Sequence, residues 1–201
     1  MRKFKLVSEA TEALADLWYR TRDGLGVRAP HKTDLPLREL ARFMPNIALV
    51  RFDVDGRAKY ELFGTQLVEW AGIDLTGQYL DETFSPEANA QRNAGLSEFS
   101  EAAGPEALRA RWSVGQATTT SGRVVRVEDL ALPYFDGRGS EMRHMNFASI
   151  LGTLDFGEGM SGFVEADEMI WFDAALARPD WLYLTSSVVE ASTTRENATA
   201  P

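Results

Sequence analysis

Hydrophobic and polar positions along the chain change period several times, and each change marks an element. From Ser8 the apolar residues Leu14, Leu17 and Trp18 recur at helical spacing, so a capped helix is predicted to about Arg22, with Asp23-Gly24 ending it. Val27 to Asp34 reads as a loop, Pro36 as the start of a short helix through Phe43, and Asn46 to Phe52 as a strand. The Asp-Gly pair within Asp53 to Arg57 signals a hairpin that feeds a second strand from about Lys59. In that strand Tyr60 and Leu62 alternate with Glu61 and Phe63, and Gly64 marks where the pleat ends or another backbone comes close. Thr65 is placed to cap a helix from Gln66 to Ala71, which Gly72 closes in a left-handed conformation.

The second half repeats the exercise with longer strands. Pro86 opens a helix through about Ala102, with Ala90, Ala94 and Phe99 expected to face inward, and Gly104-Pro105 stops it. Leu108, Ala110, Trp112 and Val114 then alternate with Arg109, Arg111 and Ser113, a strand with one buried face and its arginines turned to water. Past the Ser121-Gly122 turn, Val125 and Val127 have the opposite parity from Leu130 and Leu132, which predicts a bulge near Glu128-Asp129. Asp136 to Gly139 supplies another hairpin turn, into a strand over Met142 to Leu154. The order argues for an α+β fold, an antiparallel sheet of about five strands with helices on one face, plus an N-terminal helix and a C-terminal extension.

Several of these positions together resemble the PAS domain, in particular a compact PAS family common as short single-domain proteins in alphaproteobacteria. The residues that carry the resemblance are Trp18 and Arg20 in the opening helix, Leu35-Pro36, Pro45, Phe63-Gly64-Thr65, Asp74-Leu75-Thr76-Gly77, Leu132-Pro133 and Asp136-Gly137, over about Leu14 to Leu154. The chain departs from that pattern at Pro30, where His31 and Lys32 follow instead of an arginine, and past Asp155, where it has no counterpart. The division expected is an N-terminal helix and linker over 1–34, a PAS-like domain over 35–154, an extension over 155–191 and a disordered tail over 192–201. The resemblance implies a stand-alone sensory or signalling module, without catalytic activity, that takes a small apolar or amphipathic ligand, a protein partner, or both.

A helix inserted between strands leaves room against the sheet, and pockets of that kind combine apolar walls with a few polar groups. Tyr60, Leu62, Leu67, Trp70, Phe99, Trp112, Met145 and Phe147 are the candidate lining residues, each of them equally suited to plain core packing. The Leu14, Leu17 and Trp18 stripe has two homes, its own domain or the same helix of a second copy as a homodimer interface. The apolar residues of the extension, Met169 to Phe172 and Trp181 to Leu184, need cover either from their own domain or from a partner. The competing reading is a small α+β-cone enzyme of isomerase or dehydratase type, with Asp129 as the buried carboxylate and Tyr60 as the tyrosine.

Composition removes other classes. The chain has 201 residues, 30 acidic against 21 basic side chains and a formal net charge of −9, which disfavours nucleic acid and anionic membrane surfaces as partners. No apolar run reaches the length of a membrane span and the first residues lack a signal peptide's apolar stretch, so a cytoplasmic location is expected. With no cysteine there is no thiolate metal site, no cysteine nucleophile and no thiol to bond a chromophore. His31 and His144 are the only histidines; His144 is expected on a solvent-facing strand position, a haem-ligand role for it follows only from the PAS context, and no cofactor or metal is assigned. Gly157 to Gly162 spells G-x-G-x-x-G before a helical-looking Phe163 to Leu176, but too little chain follows to build a dinucleotide fold.

Overall fold

Six antiparallel strands form one sheet in the order β2-β1-β5-β4-β3-β6 in a computed structural model that describes residues 6, 8–137 and 141–184. The strands are β1 (Ile47–Phe52), β2 (Ala58–Phe63), β3 (Arg109–Thr119), β4 (Val124–Phe135), β5 (Met142–Leu151) and β6 (Met160–Asp173). The helices are α1 (Glu9–Leu25), α2 (Leu37–Leu40), α3 (Thr65–Ala71) and α4 (Pro86–Ala103), with short 3-10 turns at Met44–Asn46, Leu80–Glu82 and Asp180–Leu182. The fold is α+β, and β1 to β5 are the five strands that the alternation predicts. The sixth comes from the C-terminal extension, where β6 pairs with the free edge of β3. That segment was expected to be helical. In its bulky run Ile170 and the buried Phe172 join the outer core while Met169 and Trp171 turn toward α4, which suits a strand between two layers.

Both faces of the sheet are covered. On the outer face α1 and the 174–184 segment pack on Trp112, Leu130, Leu132, Met145 and Phe147 to make the main core. On the inner face α3, the Leu80–Glu82 turn and α4 cover Ala48, Val50, Tyr60 and Phe63. Ser8 caps α1 by accepting from the Thr11 amide, and Gly26, at φ 67°, ends it two residues later than expected by bonding back to Arg22 and Asp23 carbonyls. Trp18 is fully buried and donates its indole N–H to the Pro133 carbonyl at 2.8 Å, which fixes α1 across β4. Leu14, Leu17 and Trp18 are therefore spent on the chain's own sheet, and the homodimer interface expected of them is not available to a second copy.

Two local expectations are corrected. No register shift occurs in β4 at Glu128-Asp129: Val125 and Val127 face inward and Leu130 and Leu132 outward, and because both sides are covered the change of parity needs no bulge. The bulge lies in β2 instead, where Val50 pairs with Tyr60 and Leu49 with Leu62 while Glu61 is skipped. Thr65 is not the cap of α3 but its first residue. Gly64 takes the cap position without a side-chain bond. The rest of the hairpin turn, Arg138-Gly139, and the expected tail over 192–201 lie outside the described residues.

Gly64 shows how tightly the layers meet. Its φ of −62° is open to any residue, yet a Cβ there would fall on the carbonyl oxygens of Met44 and Pro45. Its own amide donates to the Ile47 carbonyl at 3.0 Å, so the β2–α3 corner and the turn before β1 are backbone against backbone. Gly64→Ala is expected to lower stability by about 1–3 kcal/mol through steric overlap alone. Urea unfolding checks this, with a shifted midpoint and an unchanged slope as the expected result.

Candidate functional site

The inner helix α4 starts with Ser85 accepting from the Ala88 amide and Pro86 in its first turn. Its inward stripe is Ala88, Gln91, Arg92, Gly95, Leu96 and Phe99, while Ala90 and Ala94, expected inside, are exposed. Gln91 docks the helix on β6 by donating to the Ala166 carbonyl at 2.7 Å and accepting from the Ala166 amide at 3.0 Å. Gly95 lets the Trp171 indole approach, since a Cβ there would meet Trp171 Nε1 at 2.9 Å. A stripe that carries glutamine and arginine cannot close onto a sheet as a dry core. Two adjoining cavities lie beneath it.

The first cavity, about 140 Å³, has Tyr60, Phe63, Leu67, Leu80, Phe84 and Met169 as its apolar wall, with Ser113, Asp129 and Asn146 among its polar groups. The second, about 220 Å³, adds Arg109, His144 and Trp171. Leu80, Arg92, Arg111 and Asn146 line both, so the guanidiniums of Arg92 and Arg111 stand at the junction. Arg111 is 13% exposed in its side chain and pairs with Asp129. Arg92 donates to Asn89 Oδ1 at 2.9 Å, and burial first, then the charge of Arg111, pulls its pKa below the usual arginine value. Tyr60 packs edge-on against Phe63, and burial raises its pKa.

Of the expected lining residues, Tyr60 and Leu67 stand on the first cavity. Trp112, Met145 and Phe147 face the other way, into the core beneath α1, because the regular apolar alternation of β3 and β5 belongs to the outer face. The β2 bulge separates Leu62 from the cavity wall that holds Tyr60 and Phe63. Trp70 packs beside Met160 and Leu154, and Phe99 lies toward the far end of α4, neither on a cavity wall. Arg111, expected in water, and His144, expected in solvent at 6% exposure, both point to the covered inner face. The missed residues Arg109, Arg111, His144 and Asn146 share one signal, polar positions alternating with core residues on strands that a long helix must cover, and Arg92 lies on that helix.

Asp129 and Tyr60, the pair on which the enzyme reading rests, both line the first cavity, but the Asp129 carboxylate is engaged by Arg111. Among the described residues no three His, Cys, Asp or Glu side chains gather as a metal site, and no helix is long and apolar enough to cross a membrane.

Burial and the charges of Arg111 and Arg109 hold the His144 pKa down at about 3, against an ordinary value near 6.5. The folded protein keeps this imidazole neutral while the unfolded chain takes up a proton below about pH 6.5. Stability contributed by the neutral ring is full above that pH and is lost as pH falls toward 3, by at most about 1.4 kcal/mol per pH unit. His144→Asn is expected to flatten this limb, seen as a smaller drop in unfolding free energy between pH 7 and pH 4.5 than in the unaltered protein.

A family model described as a PAS domain matches residues 6–151. Two solved chains show a low-level likeness. One is the PAS domain of a protein from Colwellia psychrerythraea, at 15% identity and a TM-score of 0.34, over 55% of this chain and 93% of that one. The other is a sensory box histidine kinase/response regulator from Burkholderia thailandensis, at 13% identity and a TM-score of 0.33, over 58% of this chain and 85% of that one. No curated protein sequence matches the chain closely enough to serve as a relative.

Proposed function

The chain belongs to the PAS domain family, and from its inner cleft we propose that it is a sensory or signalling module that binds a small apolar or amphipathic ligand and passes a change of shape to a protein partner. The observation that carries this is the pair of adjoining cavities, whose apolar walls and few convergent polar groups are the usual make-up of a small-molecule site. A route outward supports the second half. Arg111 and Asp129 form a diagonal pair on the inner face, and their chain neighbours Trp112 and Glu128 form another on the outer face, where the indole donates to the carboxylate at 2.9 Å. A ligand that shifts the inner pair moves the backbone that carries the outer one. The outer pair contacts α1 through Ser8 and the 174–184 segment through Trp181, the surfaces offered to a partner.

The test is an absorption spectrum and native mass spectrum of the freshly purified protein, followed by titration with octanol under NMR observation. The expected result is a retained small molecule, or saturable shifts confined to cleft residues. Ala88→Leu, which fills the first cavity from α4, is expected to weaken octanol binding at least about tenfold with little change in melting temperature. Binding that is unsaturable, or indifferent to Ala88→Leu, would remove the ligand from this reading.

A further inference from the structure

Arg111 Nε, His144 Nε2, Asn146 Oδ1 and Trp171 Nε1 are buried polar atoms without a hydrogen-bond partner in the protein, and all four residues line the second cavity. Buried polar groups are almost always hydrogen-bonded, and Arg111 Nε and Trp171 Nε1 can only donate, so this space calls for a hydrogen-bond acceptor from outside the chain. Charge gives its sign. Arg92 and Arg109 line the same cavity, and neither has a carboxylate within ion-pair distance among the described residues. Arg111 has only Asp129, and the nearby Asp81 carboxylate is held by Arg57 at 2.8 Å. An acidic chain with a net charge of −9 thus keeps surplus guanidinium inside its cleft, an arrangement that favours an anion and opposes a cation.

The size and character of the first cavity describe the rest of the molecule. At about 140 Å³ it compares with an engineered apolar cavity of about 150 Å³ that takes benzene. A single ring or a medium-length alkyl chain fits such a space. Asp129 beside Arg111 disfavours a doubly charged head, whose second charge would face the carboxylate. We propose that the cleft binds an amphipathic monocarboxylate, with its carboxylate in the second cavity beside Arg92, Arg109 and Arg111 and its apolar chain in the first against Tyr60, Phe63 and Leu67. This rests on the ligand-binding reading above and adds the ligand's charge and orientation.

Titration of the intact protein with octanoate, octanol and octyl phosphate, followed by NMR and calorimetry, tests it. Octanoate is expected to bind at least about tenfold more tightly than octanol, which lacks the charge, and more tightly than octyl phosphate. Arg92→Met keeps the aliphatic stem and is expected to lower octanoate affinity about tenfold while leaving octanol within about twofold; Arg92→Lys recovers part of the loss. Octanol binding as tightly as octanoate, or Arg92→Met weakening both alike, would overturn the anionic head and leave the ligand-binding cleft standing. Tighter binding of octyl phosphate would overturn the carboxylate. Saturable binding by none of the three would overturn this inference together with the reading beneath it.

Discussion

A carboxylate taken out of water survives only where hydrogen bonds replace its hydration, and Glu128, at 0% exposure, meets that condition with groups from two other elements. Trp112 Nε1 donates to its Oε1 from β3, and the Ser8 amide donates to its Oε2 from the start of α1, both at 2.9 Å. Hydrogen bonds to a charged group are each worth about 1.5–3 kcal/mol, and the penalty of leaving the group unpaired is larger. The helix therefore has one entry point on the sheet. From there Trp18 reaches Pro133, Arg22 donates to the carbonyls of Ala174 and Leu176, and the Leu184 amide donates to Glu12, so the 174–184 segment is laid along α1. The outer layer is a chain of contacts that begins at one buried acid.

The inner layer is built on a different principle. Where the outer face packs tryptophan, leucine and phenylalanine to exclusion, the inner face of the same strands offers Arg109, Arg111, Ser113, Asp129, His144 and Asn146 to a helix that buries little of itself. Such a face cannot be dry and closed at once, because each polar group needs a partner. Gln91 and Gly95 hold α4 near β6, while Arg92 keeps it from settling onto β3. A stiff outer core and a loosely covered, charged inner cleft share one sheet. Successive residues of β3 and β4 belong to the two sides in turn, which makes the sheet a natural lever between them.

Most of the fold was legible because its signals are local. The Ser8 cap, the hairpin at Asp53 to Arg57, the closing Gly72, Pro86 in the first turn of α4 and the alternation from Leu108 to Val114 each report a backbone need within a few residues. The candidate site was far less legible. Tyr60 and Leu67 stand on the cavity wall, but Trp112, Met145 and Phe147 were assigned to it because apolar alternation reveals a buried face without saying what covers it. The Leu62 position turned on a skipped Glu61, a register fact that exists only between two strands. The β6 segment read as helix because an apolar run such as Met-Ile-Trp-Phe has no period of its own.

By itself the amino-acid sequence determined the α+β class, the first five strands, the places of the helices, the acidic net charge and the absence of any cysteine chemistry. These follow from steric preference and period, which act over a turn or a strand. Tertiary structure alone decided that the sheet is covered on both sides, that a sixth strand closes the edge of β3, and that Arg92, Arg109, Arg111, His144 and Asn146 meet in one cleft. A charged side chain in a strand reads as solvent-facing until a helix distant in sequence is known to lie over it. Burial is a relation between elements, and only their assembly states it.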